Sequence, residues 1–298
     1  MHSRDLFSDY HPLVNILYFA LVLGYSMFLL HPFCLLVSLL CALSYALRLN
    51  GRAAVARSMG YLLPTALLAT LVNAAFNHEG ATVLTYLPSG NPLTLESILY
   101  GLAAAVMLAG VLLWFSCCTA VLTTDKFVYL FGRVIPALSL VLSMTLRFVP
   151  RFAAQFRAVA EGQRCLCRDL SRGPLLQRLR VAVTVFSILV TWALENAVDT
   201  ADSMKSRGYG LPGRTAFSLY RLDGRDRAAF IWLICAGSFL LWGAFSGGLR
   251  WSYYPVSDGG PFTPLTALLH LCHLALCLTP MILNWKEDRA WKRFKSGT

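Results

Sequence analysis

Charge is the first thing this sequence lacks. Only 14% of its 298 residues are Asp, Glu, Lys or Arg, against 57% hydrophobic, and the mean hydropathy is +0.58. A soluble globular domain carries roughly 25% charged residues, so an ordinary soluble globule is excluded and an integral membrane protein is expected. There is no GxxxxGK[ST] loop to cradle phosphates, so ATP hydrolysis is not this chain's own work. No HExxH occurs, which removes the usual intramembrane metallopeptidase. No CxxC pair occurs either. The nine cysteines are odd in number and mostly sit inside apolar runs (Cys34, Cys41, Cys235, Cys272, Cys277), where Cys acts as a small hydrophobe. Cys165 and Cys167 form a CxC beside basic residues without a second ligand pair, so neither metal nor cofactor is expected.

Also missing are ionisable side chains inside the long apolar runs. Glu96 lies near an end, and His270 and His273 are the only interior candidates. Intramembrane charges mark proton and ion pathways, so their scarcity counts against a secondary transporter. His270 and His273 share a helix face at i,i+3, yet no Asp or Glu joins them, and they read as neutral packing residues. No cluster combines a nucleophile, a base and a third partner, so no enzyme is expected. The net charge of +11 does not interleave with aromatics as a nucleic-acid surface would; membrane topology explains it.

Six segments are long and apolar enough to cross a bilayer: Leu13 to Leu30, Pro32 to Leu47, Met59 to Phe76, Leu95 to Leu122, Ala229 to Gly248 and Leu265 to Trp285. His31 and Pro32 read as a tight hairpin between the first two. Val134 to Leu146 and Val181 to Leu194 are only about 13 or 14 residues long, which suits buried or interfacial helices. Crossing there would also carry Arg151, Arg157, Arg164, Arg168, Arg172, Arg178 and Arg180 outside, against the positive-inside bias. With both termini inside, only Arg250 of the 26 Lys and Arg residues lies outside. The expectation is an all-α polytopic helical membrane protein in three parts. These are four transmembrane helices over 1–122, a cytosolic coupling-helix region over 123–226, and two more spans with a basic tail over 227–298. His2 to Pro12 is polar and the next apolar segment has no small-residue cleavage site, so no cleaved signal is expected.

Within the middle region, Arg178 to Arg207 has helical periodicity. Thr184, Ser187, Thr191, Glu195, Asp199, Asp202 and Ser206 form a polar stripe, and Val183, Phe186, Val190, Ala197 and Met204 lie opposite. Gly208 suits the left-handed residue past a helix end, Pro212 prevents continuation, and Lys205 and Arg207 suit the negative end of the dipole. Two readings remain open: a well-capped end, or a docking tip whose guanidinium fork pairs with a partner's carboxylates or carbonyls. Upstream, Pro136 and Pro150 are expected to break a basic segment into short helices, and Val159 to Pro174 reads as another basic helix running out near Ser171 to Pro174. Arg147, Arg151 and Arg157 with Leu146, Phe148, Phe152 and Phe156 would lie along an inner membrane surface.

The stretches "HPLVNI", "NAAFNHEGATVLTYL", "DKFVYLFGRVIPALSLVLSMTLRFVPRF" and, above all, "TADSMKSRGYGLPGR" resemble the transmembrane T component of energy-coupling factor transporters, the EcfT or CbiQ family. The resemblance implies a prokaryotic plasma-membrane scaffold that partners two ABC-type ATPase subunits and a membrane-embedded, substrate-binding S component for vitamin or metal-ion uptake. It implies two helix tips, each with an Ala-Arg-Gly-type triplet seated in an ATPase groove. The second triplet maps onto Ser206, Arg207 and Gly208. The first falls in "GQRCLCRDL", where Leu166 takes the usual arginine position, so either Arg164 or Arg168 is expected to take over or the partner groove differs, with Arg172 a later possibility. A conventional ABC permease, a membrane enzyme and a passive lipid-binding scaffold are the alternatives.

Overall fold

The computed structural model describes residues 5–86, 92–167, 174–209, 211, 220–261 and 263–296. Among these the protein is all-α apart from two small hairpins. In chain order the elements are α1 (Pro12–Phe28), α2 (Pro32–Phe76), β1 (Val83–Tyr86), β2 (Pro92–Thr94), α3 (Leu95–Val121), α4 (Thr124–Val134), α5 (Pro136–Cys165), α6 (Leu175–Ser206), α7 (Gly224–Phe245), β3 (Trp251–Ser252), β4 (Asp258–Gly259) and α8 (Pro264–Ser296). Two compact units result. Met1–Lys126 joins Tyr220–Thr298 in the first, and Phe127–Leu219 forms the second.

A His-Pro pair opens each of the first two helices. Proline at the first helical position gives up no hydrogen bond, because that N–H would be unsatisfied anyway. The preceding His11 and His31 accept from the N–H groups of Leu13 and Phe33, each at 3.3 Å, and so cap the helices. Among the described residues, five helices are long and apolar enough to cross a membrane: α2, α3, α6, α7 and α8; α1 is apolar but shorter, with 17 residues. The second and third expected spans are fused in the 45-residue α2, which breaks at Gly51 (φ 76°, ψ 166°). Only glycine takes that conformation cheaply. The six expected crossings therefore occupy five helices. α6, expected to stay at the surface, meets the same length and composition test, because its charges sit at its two ends and leave an apolar middle.

Small side chains and shared hydrogen bonds join the helices of the first unit, as expected where lipid offers no hydrophobic drive between them. A Cβ on Gly101 of α3 would stand 3.1 Å from the Thr70 carbonyl oxygen of α2, so these backbones approach closely. Tyr18 donates to the Cys277 carbonyl at 3.1 Å, Tyr25 to that of Gly237 at 2.6 Å, and Trp114 to Ser38 Oγ at 2.9 Å.

The bundle's two ends are built differently. At one end, Tyr253 donates to Leu30 O (2.7 Å), Asn77 to Tyr254 Oη (2.8 Å) and Ala81 N–H to Pro255 O (3.0 Å), gathering the connections after α1, α2 and α7. At the other, Asn284 of α8 accepts from Leu6 N–H at 2.9 Å and donates to Asp5 at 2.6 Å, and Asp5 also accepts from Tyr45 at 3.0 Å. Lys126 donates from Nζ to the Ser8 carbonyl and, at 3.0 Å, to that of Val121; Asp226 accepts from His11 N–H at 3.1 Å. Burial holds the Lys126 ammonium below the usual lysine range, with Asp9 and Asp5 opposing that shift.

The second unit corrects two expectations. Pro150 does not break the chain: α5 runs unbroken from Pro136 to Cys165. Its end comes at Cys165, earlier than the expected Ser171 to Pro174 region, of which 171–173 lie outside the described residues. In α6 the least exposed face carries Val181, Val185, Trp192 and Asn196, and Phe152 of α5 meets Trp192 edge to face at 5.4 Å. The expected apolar face stays uncovered, with Val183, Phe186 and Val190 exposed.

Candidate functional site

The tip of α6 is built by backbone hydrogen bonds. Gly208 N–H donates to Lys205 O at 2.9 Å and Tyr209 N–H to Met204 O at 3.0 Å, the pair that defines a Schellman cap. Gly208 has φ 73°, as the sequence predicts for the residue past the helix end. A Cβ there would meet Leu211 Cδ1 at 3.1 Å. The turn places Arg207 at the last half-helical position, exposed, with Ser206 one residue before it. Lys205 lies 3.9 Å from Asp202, a fully exposed pair of little energetic weight.

The tip of α5 repeats this backbone with different side chains. Cys167 N–H donates to Arg164 O at 3.0 Å, the counterpart of the Gly208 bond, and Cys167 has φ 57°. It is the one described non-glycine residue with positive φ. A side chain in that conformation costs roughly 1–2 kcal/mol. The matching hydrogen bond aligns Arg164, Cys165, Leu166 and Cys167 with Lys205, Ser206, Arg207 and Gly208. Leu166 thus holds the place of Arg207 and is 64% exposed, whereas Arg164 matches Lys205, two residues earlier. Of the two expected substitutes, Arg164 is exposed at the tip but not at the arginine position; Arg168 and Arg172 lie outside the described residues.

Both tips stand beyond the Phe152–Trp192 contact that joins the two helices. At 1.5 Å per residue, each projects about 20 Å past it along its own axis. Along α6, Thr184, Thr191 and Thr200 return their hydroxyls to carbonyls one turn earlier at 3.0, 3.1 and 2.6 Å. Thr184 and Thr191 of the polar stripe are therefore satisfied within the helix itself.

One cluster escaped sequence reasoning. His31, Cys34 and His270 come together with one potential ligand atom each, all within 4.8 Å of one another. The sequence hint was the H-x-x-C spacing at the start of α2, but its partner is 236 positions away, on α8. His273 points elsewhere, with Nε2 3.7 Å from Cys277 Sγ.

A bundle of apolar helices joined to a unit of two long amphipathic ones defines a polytopic helical membrane protein. The profile of the CbiQ family, described as cobalt transport protein, matches residues 11–217, and this chain belongs to that family. It is 33% identical over 106 residues to the energy-coupling factor transporter transmembrane protein EcfT of Exiguobacterium sibiricum, covering 35% of this chain and 40% of that one. It is 31% identical over 107 residues to EcfT 1 of Listeria monocytogenes (35% and 40% covered), and 29% identical over 104 residues to EcfT of Bacillus subtilis (35% and 39% covered). The chain thus matches about two fifths of the length of these relatives.

Proposed function

We propose that this chain is the non-catalytic coupling subunit of an energy-coupling factor importer in a prokaryotic plasma membrane. In this reading two ATPase subunits each seat one tip, Ser206-Arg207-Gly208 on α6 and Arg164 to Cys167 on α5. ATP-driven closure of the ATPases displaces the tips, and the two helices carry the displacement to a membrane-embedded S component that captures a micronutrient. The uncovered apolar face of α6, Val183, Phe186 and Val190, serves lipid or the S component. Residues 1–122 and 227–298 form the membrane scaffold, 123–226 the coupling region, and both termini lie on the ATP side.

The observation that carries this reading is the pair of matched, exposed helix caps in one compact unit. A capped helix end presents its last side chain from a fixed backbone, so little ordering entropy is lost on docking. Guanidinium at such an end forms bidentate, charge-assisted bonds that a lysine does not reproduce. Stiff packed helices move as units and so transmit displacement.

The test is co-expression with the cognate ATPases and S component. Arg207→Glu abolishes ATPase co-purification and cargo uptake while the protein still reaches the membrane. Unchanged association and uptake would sink the proposal. Orientation is read separately from native thiols: Cys165 and Cys167 are exposed, and a membrane-impermeant thiol reagent labels them in inverted vesicles but not in intact cells.

A further inference from the structure

We propose that His31, Cys34 and His270 bind one thiophilic divalent ion of the zinc class, at the bundle end opposite Lys126. This site is independent of the docking tips. Cys34, in the first turn of α2, is 1% exposed, and His270, in the second turn of α8, is 8% exposed. Their Sγ and Nδ1 atoms are 3.4 Å apart. Bond lengths of about 2.3 Å to sulfur and 2.05 Å to nitrogen, at a tetrahedral angle, set the S···N edge of a zinc site at about 3.5 Å. The pair therefore already stands at ligand spacing. His31 completes a His2Cys set, its ring centroid 4.5 Å from that of His270. It caps α2 in a short turn and is half-buried, so it is the member free to close the remaining gap.

Packing alone gives this cluster poor partners. Among the described residues, the side-chain hydrogen bond that His270 makes goes to a thiol, a weak donor and acceptor. The walls are aromatic, with Trp251 edge-on to His31 at 5.1 Å and Phe33 edge-on to His270 at 4.9 Å. A donor set of one thiol and two imidazoles favours a borderline-soft ion over Mg2+ or Ca2+, which require oxygen ligands. Three protein ligands leave the fourth position for water or an incoming ligand.

On binding, the Cys34 S–H bond breaks, its proton leaves to solvent, and the sulfur's electron pair forms the metal–thiolate bond. A neutral imidazole has one lone pair. His31 therefore gives up its 3.3 Å bond from Phe33 N–H, whichever nitrogen ligates. No redox change is involved. The ion ties the α1–α2 turn to the start of α8.

Co2+ is the probe, added to the full chain purified in detergent after Cys165→Ser, Cys167→Ser and Cys235→Ser remove the competing thiols that are exposed among the described residues. The expected result is a saturable, one-equivalent thiolate-to-cobalt charge-transfer band, about one proton released per ion, displacement by Zn2+ and a raised melting temperature. Cys34→Ser removes the band. His270→Ala weakens binding by more than the ~10–100-fold that loss of an outer-shell partner costs. Cys41→Ser leaves the band in place. A band that survives Cys34→Ser, or no saturable band, overturns the site. Should the Cys34 variant fail to fold, His31→Asn, which keeps a good helix cap, decides: unchanged cobalt affinity and spectrum in that variant also overturn it.

Discussion

The ends of α5 and α6 share a backbone and differ in chemistry. Each finishes with a left-handed residue whose N–H returns to the carbonyl three positions earlier, and each carries a cation at that carbonyl's residue, Arg164 or Lys205. At the next-to-last position of the turn, one end offers the guanidinium of Arg207 and the other the isobutyl group of Leu166. Glycine makes the α6 turn without cost, while Cys167 adopts the same φ region against its own Cβ. Turn geometry is thus kept where side-chain chemistry is not. Two docking partners, or two grooves, that demand the same position of the helix end but different surfaces at it would produce this pattern.

The comparison breaks most sharply at Arg207. Arg207→Glu lowers ATPase association by at least ~30-fold, the scale of roughly 2 kcal/mol or more for losing one side of a charge pair and adding repulsion, as read by quantitative co-purification. Leu166→Arg tests whether the two receiving surfaces are alike. If the α5 tip meets an apolar surface, association falls roughly tenfold, about 1.4 kcal/mol; a gain would show two equivalent acidic grooves. Gly208→Ala introduces a side chain at φ 73° and costs about 1 kcal/mol, seen as a roughly fivefold loss of amide-exchange protection at Gly208 and Tyr209. Cys167→Gly does the reverse at the α5 tip, raising protection by a similar or smaller factor. Smallest is the coupling between Phe152 and Trp192. A double-mutant cycle to Ala gives about 0.5–1.5 kcal/mol for an edge-to-face pair, measured by chemical denaturation of the purified protein.

Much of this molecule was legible because lipid imposes a simple length rule. Apolar runs such as Leu95 to Leu122 and Leu265 to Trp285 became α3 and most of the buried length of α8. Gly208 was readable because a helix end with basic residues, glycine and a nearby proline has few other outcomes. The fusion at Gly51 was not. Pro32 to Leu47 and Met59 to Phe76 were expected as separate spans, yet one glycine with positive φ suffices to redirect the chain between two helical segments. Pro150 misled for a similar reason, since losing one backbone bond does not outweigh the rest of a long helix. The short hairpins were invisible, because strands of two to four residues carry too little alternation. The metal cluster was hidden by distance along the chain. The residues that gather around His270 come from the start of α2, and the packing of α2 against α8 brings Cys34 within 3.4 Å of it.

The polar knot around Ser8 and His11 has a mechanical consequence. Residues 127–219 leave the bundle at Lys126, which Ser8 holds, and return at Tyr220 and Asp226, which pack edge-on against His11 and accept from its N–H. Departure and return are thus fastened to the same few residues, like both ends of a strap sewn to a single rivet. In the proposed coupling role, tension drawn through either end would meet that rivet first, so a defect confined to Ser8 through His11 would slacken both roots of the strap at once.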